Sequence, residues 1–276
     1  MAFAQRRYGS DIASRHRLDT ELVRRNLASD QDHARQLIDG RGVQVNGAFA
    51  DKASRLVERG DSIELAGEAP RFVSRGGDKL AHALDVFGVV AAGRRALDAG
   101  ASTGGFTQCL LQEGANHVVA LDVGHNQLHE SLVGHPQVTN LERTNIRRVT
   151  PEAIGGAVDL IVGDLSFISL RTVLDALVGV ATSGGDIVLL VKPQFEATKQ
   201  EASKGRGVIV DPEVWLRVLD EVATAAGIAG APAQAGTVSP IRGGQGNVEF
   251  LYHLVVGEGD SVVDTAALVA SVEPKR

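Results

Sequence analysis

The stretch Leu97-Asp98-Ala99-Gly100-Ala101-Ser102-Thr103-Gly104-Gly105-Phe106 constrains the fold of this chain more than any other. An apolar run ends in Asp98, a loop of small residues follows at once, and a helix-like pattern continues from Phe106 to Leu111. A strand, a glycine turn and a helix start in immediate succession make a cradle of nucleotide shape. Glycines let the backbone approach a ligand closely, and the first helical amides point at it. Roughly twenty residues on, the apolar run Val118 to Leu121 ends in Asp122, where an acid can accept hydrogen bonds from both hydroxyls of a ribose. The dinucleotide pattern G-x-G-x-x-G is missing. D-x-G-x-x-x-G-G-F with an acid after the next strand suits S-adenosylmethionine better. In that cradle Gly100 and Gly104 are expected to leave space for the ligand.

From Phe72 onward strands and helices alternate. Strands are expected over 95–98, 117–122, 137–142, 158–163, 186–191, 233–238 and 247–255, and helices near 78–87, 104–113, 126–133, 169–180 and 212–226. This alternation predicts an α/β fold, a parallel sheet with helices on both faces. The last two strands, joined by the glycine-rich loop 239–246, form the terminal antiparallel hairpin typical of the methyltransferase version of that sheet. The longest apolar run, Asp186 to Val191, has strand length and falls far short of a membrane span. Met1 to Ser10 is polar and carries no secretory signal, and the single cysteine, Cys109, permits no disulfide within the chain. A cytoplasmic protein is expected, with Cys109 packed inside a helix.

Charge is uneven along the chain. Net charge is −6, yet residues 1–60 hold 11 Lys/Arg against 8 Asp/Glu, a balance of +3 that leaves −9 for the remainder. A basic end on an acidic body suits a first domain that handles a polyanion. Residues 17–65 have their own pattern. A helix starts at Arg17-Leu18-Asp19-Thr20 with Asp19 or Thr20 as its cap, a second runs from Ser29 to a C-cap at Gly40, and the strand Val43–Val45 leads into an Asn46-Gly47 turn. Asp61 to Leu65 alternates as a last short strand. Two short helices, a small sheet and helix-borne arginines resemble the RNA-binding domain first seen in ribosomal small-subunit protein four. The resemblance is carried by Arg17-Leu18-Asp19, Ala34-Arg35-Gln36-Leu37-Ile38 and Gly42 to Gly47. It implies phosphate contacts from Arg17, Arg24, Arg25, Arg35 and Arg41, and a solvated mixed-charge face is the plainer alternative.

Ligands of such sheets bind beyond the carboxyl ends of the strands. Asp98 and Asp122 close the first two strands, and Glu142-Arg143-Thr144-Asn145 follows the third, with Asn145 placed to meet an adenine edge. The fourth strand ends in Asp164-Leu165-Ser166-Phe167, the fifth in Lys192-Pro193-Gln194-Phe195-Glu196, and the last begins with Asn247-Val248-Glu249. A lysine after five apolar residues is unusual. Acids beside it would hold its charge, whereas burial and a second cation favour proton loss, and a neutral lysine can act as general base on a hydroxyl. A second lysine, Lys79, lies in Ser74-Arg75-Gly76-Gly77-Asp78-Lys79. Singly, these residues would serve as surface charges or a helix cap, and their joint occurrence points to one site.

These motifs together resemble the TlyA family of ribosomal RNA 2′-O-methyltransferases, sometimes labelled haemolysins, with a RrmJ-like catalytic domain. The resemblance rests on Ser74-Arg75-Gly76 with Lys79, Asp98 to Thr107, Leu141 to Asn145, Asp164 to Leu170, Lys192 to Glu196 and Gly246 to Glu249. It implies a catalytic Lys79, Asp164, Lys192 and Glu249 tetrad. It also implies an S-adenosylmethionine site at Asp98, Gly100, Ser102, Thr103, Gly104, Gly105, Phe106, Asp122, Asn145 and Asp164, RNA contact at Arg75, and no metal. Ribosomal RNA or ribosomal subunits are the expected partners, with cytidine ribose the implied target and neither membrane nor DNA involved. Two departures stand out. Phe72 occupies a position where the family has tryptophan, and the extension before Arg17 is longer than expected. The implied division is an extension over 1–16, an RNA-binding domain over 17–66, a linker over 67–73, a Rossmann-like methyltransferase domain over 74–257 and a tail over 258–276. The alternatives are a non-enzymatic rRNA-binding or ribosome-associated factor and a haemolysin-like protein. A base methyltransferase would need an Asn/Asp-Pro-Pro-aromatic motif or a catalytic cysteine, and Asp164-Leu165-Ser166-Phe167 lacks the prolines.

Overall fold

The computed structural model describes residues 15–28, 30–66, 71–243 and 246–272. The expected extension and linker lie outside these residues apart from 15–16 and 71–73, as do Ser29, Gly244 and Gln245. The chain divides into two compact units, Met1–Arg71 and Phe72–Arg276.

The first unit runs β1 (His16–Arg17), α1 (Leu18–Arg24), α2 (Gln31–Asp39), β2 (Val43–Val45), β3 (Ala48–Phe49), β4 (Leu56–Val57) and β5 (Ile63–Leu65). β1 pairs with β4, and β2 lies between β3 and β5, all antiparallel. Asn46 and Gly47 have φ of 53° and 78°, so both central residues of the β2–β3 turn take the left-handed conformation that a two-residue hairpin requires. Leu18, Leu22, Ala34, Ile38, Val43, Val45 and Val57 form the core. Two helix ends differ from expectation. The N-cap of α1 is Arg17 with no side-chain cap, because the Asp19 carboxylate accepts from the Arg17 guanidinium at 3.0 and 2.7 Å instead. The left-handed residue after α2 is Arg41 (φ 54°) rather than Gly40, and Gly42 N then donates to Leu37 O at 2.7 Å.

The second unit continues with α3 (Gly76–Phe87), β6 (Arg95–Ala99), α4 (Gly105–Gln112), β7 (His117–Leu121), β8 (Val138–Leu141), β9 (Val158–Gly163), α5 (Leu174–Val178), β10 (Ala181–Val191), α6 (Pro193–Glu196), α7 (Lys199–Lys204), α8 (Pro212–Ile228), β11 (Ala233–Val238), β12 (Phe250–Val255) and α9 (Thr265–Ala270). Its sheet has seven strands in the order β11-β12-β10-β9-β6-β7-β8, parallel except for β12, which is antiparallel to both neighbours. The period of two along each strand divides the apolar residues between the faces. Leu97, Val119, Ile161, Leu189 and Tyr252 meet α5, α8 and α9, while Ala96, Val118, Leu160, Val188 and Leu251 meet α3 and α4. All carboxyl ends of the parallel strands therefore open on one edge.

Four segments depart from the sequence reading. Residues 126–133 form turns, not a helix: His129 N donates to Thr103 O at 3.1 Å, and Leu128 and Leu132 close over Gly104. The stretch 169–180 breaks at Val173 into a 3-10 turn and α5. β10 starts at Ala181, earlier than expected, with a register shift before Asp186. The segment read as a tail holds α9, capped by Asp264 and packed through buried Leu268. No helix among the described residues is long and apolar enough to cross a membrane.

Candidate active site

The glycine loop joins β6 to α4 and is bent by three left-handed residues, Gly100 (φ 86°), Ser102 (φ 48°) and Gly104 (φ 94°). Asp122, just past β7, staples it: its carboxylate accepts from Ser102 N at 2.8 Å and from Gly124 N at 2.6 Å. A Cβ on Gly100 would stand 3.0 Å from Asp164 O and 3.1 Å from Leu165 Cδ2. Below the loop, Asp98 is wholly buried. Thr107 donates to its Oδ2 at 2.6 Å, and its Oδ1 has no partner. Burial pushes the Asp98 carboxyl up to about 7, a rise that the Thr107 hydrogen bond opposes and the charges of Asp164 and Asp122 reinforce.

Beside this loop lies a cavity of about 560 Å³, lined by Gly100, Ser102, Asp122 and Asn145 on one side and Asp164, Ser166 and Phe167 on another. That volume is within the usual range for small-molecule sites. The expected tetrad gathers at the same edge as two ion pairs. Lys192 Nζ lies 2.6 Å from Asp164 Oδ1, off the line of a regular hydrogen bond, and donates to Ser166 Oγ at 2.8 Å. Lys79, on the first turn of α3, donates to Glu249 Oε2 at 2.5 Å. Lys79, Lys192 and Glu249 are buried. The pairing Val191↔Phe250 sets Lys192 and Glu249 at neighbouring ends of β10 and β12. Buried charges are tolerated only when paired, and here each lysine faces one acid.

With this geometry in view, the comparisons are direct. The FtsJ-like methyltransferase family matches residues 72–255, and an S4 domain matches residues 16–63. The chain belongs to the FtsJ-like methyltransferase family. This methyltransferase is 50% identical over 244 residues to the 16S/23S rRNA (cytidine-2′-O)-methyltransferase TlyA of Mycobacterium tuberculosis, covering 88% of this chain and 91% of that one. It is 36% identical to the 23S rRNA (cytidine-2′-O)-methyltransferase TlyA of Campylobacter jejuni, over 72% of this chain and 76% of the relative. A solved structure from Streptococcus thermophilus that carries a hemolysin name superposes with a TM-score of 0.72 at 36% identity, over 93% of this chain and 94% of that one.

Within the methyltransferase, not every expected cofactor residue reaches the cavity. Gly104 backs onto Leu132 and Leu128, whose Cδ1 atoms would stand 2.3 and 2.8 Å from an added Cβ, so its role is close packing and not ligand space. Gly105 abuts Ser74 and Gly77, Phe106 is buried in the core under α3, and Thr103 holds His129 through its carbonyl. Phe72 is buried against Gly77, where an added Cβ would stand 2.2 Å from its ring. Val123 and Gln127 line the cavity and were not singled out from the sequence, and Thr144, Leu165 and Phe167, quoted there only as parts of strand-end motifs, line it too. Phe167 carried a signal only in hindsight: it has φ of 63° and is 91% exposed, with its ring 5.1 Å from that of Phe195.

Four of the five arginines expected to meet RNA in the first unit stand against buried acids. Arg24 and Arg25 both pair with Glu21, at 2.5 and 2.8 Å. Arg17 pairs with Asp19, and Arg35 stands 3.7 Å from the same carboxylate. The Arg24 hydrogen bond, with help from Arg25, lowers the Glu21 carboxyl to about 2 against the effect of burial. Arg25 also donates to the carbonyls of Glu58, Arg59 and Asp61, so it is largely engaged in structure. Arg75 is exposed beside α3.

Proposed function

We propose that this methyltransferase uses S-adenosylmethionine to methylate a ribose 2′-hydroxyl of ribosomal RNA, at cytidine, in the compartment where ribosomes work. The observation that carries the reading is the Lys192–Asp164 contact, whose acid lines the glycine-loop cavity, with the buried Lys79–Glu249 pair at the neighbouring strand end. The residues fit the cofactor. Gly100 lines the cavity as bare backbone, Asp98 keeps an unpartnered buried oxygen under the loop, and Asp122 has lone pairs to spare beside Ser102. Gly100, Ser102, Asp122 and Asn145 would hold the nucleoside part, and Asp98 and Asp164 the cationic end. S-adenosylmethionine brings a methyl group already activated by its sulfonium.

The chain's own residues have the remaining work. Lys192 Nζ is the base that accepts the proton of the 2′-hydroxyl. Asp164 and Ser166 fix the position of that nitrogen. Lys79 and Glu249 orient the hydroxyl and keep the local charge balanced. Phe167 offers an exposed ring at the cavity rim on which a base turned out of its stack can rest. The arginines of the S4 domain dock folded RNA through phosphates and shape, as its deep major groove demands. Positioning supplies much of the rate.

The decisive experiment incubates small- and large-subunit rRNA, free and in subunits, with the protein and isotopically labelled S-adenosylmethionine, then digests the RNA for mass spectrometry. Label in 2′-O-methylcytidine is expected. Label on a base, or in no RNA offered, would overturn the reading.

A further inference from the structure

Glu196 is a buried carboxylate that the mechanism above does not use. It ends the single turn α6, which follows Lys192 directly, and faces the loop that follows β9. Ser169 donates to its Oε2 at 2.5 Å, Leu170 N to its Oε1 at 2.6 Å and Arg171 Nε to its Oε2 at 3.3 Å. Arg171 Nη2 also donates to the Glu196 carbonyl at 3.0 Å, and Arg171 Nη1 reaches Glu221 on α8 at 2.6 Å. Three consecutive residues thus grip one side chain.

The gripped loop is the one that builds the site. Between β9 and Ser169 it carries Asp164, Ser166 and Phe167, and it meets the segment after β10 at successive points. Asp164 and Ser166 contact Lys192, Phe167 meets Phe195, and residues 169–171 close on Glu196. The contact resembles a clasp whose open end holds the lysine and whose closed end is the carboxylate. Leu165 and Ile168, between these points, are cavity wall. The hydrogen bonds offset part of the cost of burial, yet a buried carboxylate with one partly exposed cationic partner is often no more stabilising than an apolar contact of the same size. Burial accordingly raises the Glu196 carboxyl above its ordinary range, although the hydrogen bonds from Ser169, Leu170 and Arg171 oppose the rise.

We propose that Glu196 is a positioning residue for methyl transfer, holding loop 164–171 against the segment after β10 and so fixing Asp164 and Ser166 on Lys192. The inference rests on the function proposed above. In Glu196→Gln the new amide would keep an oxygen for the Leu170 N–H but turn an NH₂ toward Ser169 and Arg171, so the clasp loosens while the fold is kept.

The test compares wild type, Glu196→Gln and Ser169→Ala in three measurements. These are single-turnover transfer at saturating RNA and cofactor, dissociation constants for each, and hydrogen exchange at residues 164–171 without cofactor. The expected rate falls at least about tenfold in Glu196→Gln and less in Ser169→Ala, since small misplacement of reacting groups is costly. Both dissociation constants should change several-fold less than the rate, because no ligand-binding group is itself replaced. Exchange at Leu170 should quicken in both variants. Rates at wild-type level, or a loss confined to the dissociation constants, would overturn the inference. If Glu196→Gln does not fold, an unchanged rate in Ser169→Ala overturns it alone. A wild-type protein that methylates no RNA would instead remove the proposed function and leave the exchange result to speak for the clasp.

Discussion

At the scale of the residue, the site is governed by what burial does to charge. Asp98 keeps its proton up to about pH 7 in the folded chain but would lose it near 3.8 when unfolded. Between those values the folded state binds the extra proton, so rising pH lowers stability. Fully developed above pH 7, the loss is about 4 kcal/mol for a rise of that size. Asp98→Asn should therefore melt at a higher temperature than wild type at about pH 8.5 and differ much less near pH 5, while binding S-adenosylmethionine more weakly at both. Equal pH dependence of the two melts would show that Asp98 is not the titrating group. Lys192→Arg keeps the charge but cannot give up its proton in a useful range, so single-turnover transfer should drop by orders of magnitude with RNA and cofactor still bound. Near wild-type transfer would make Lys192 a phosphate contact. Gly100→Ala should weaken cofactor binding in calorimetry, since its φ is left-handed and its Cβ would meet Asp164 O at 3.0 Å. Gly104 is the wrong glycine for that test, because its substitution strikes Leu128 and Leu132 and disturbs the fold.

At the scale of the element, strands were legible and the short connections were not. β6, β7, β9 and β12 announce themselves because their apolar residues are sealed on two faces, and the β2–β3 hairpin because Asn-Gly admits two left-handed residues. Residues 126–133 have helical spacing, yet Leu128 and Leu132 serve the glycine loop, a long-range contact that local pattern does not encode. The gathering of Lys79, Asp164, Lys192 and Glu249 was readable because each sits at a strand end or a helix start. The contacts of Glu196 were not, since its partners lie 25 to 27 positions away and the motif Lys192 to Glu196 shows only that it follows the lysine. The arginines of α1 were readable as basic but not as paired. Their pairing shapes the mutagenesis: removing Arg24 and Arg25 strands Glu21, a buried charge, and should unfold α1. Glu21→Gln with Arg24→Gln and Arg25→Gln should instead keep the domain folded and reduce the salt slope of RNA binding by about 1 to 2, roughly one unit per lost phosphate contact. An unchanged slope in the folded triple variant would make these arginines scaffold alone.

At the scale of the whole molecule, composition alone misled: a net charge of −6 speaks against RNA, while that charge belongs to the second unit, which carries −7 against +1 for the first. The fold class was legible in full because the β6–loop–α4 motif and the reversed β12 leave few other sheets. The extent of the second unit was not, since α9 follows a run of small and acidic residues that reads as a trailing end. The two lysine–acid pairs have a consequence for how the molecule responds to its medium. Each pair has a lysine side chain only 10% exposed, whereas the forks of Arg17, Arg24 and Arg35 stand half in water. Counterions reach the second set and not the first. Raising potassium chloride should therefore act as a knife between docking and chemistry. The RNA dissociation constant climbs steeply, and the turnover of RNA already bound does not change.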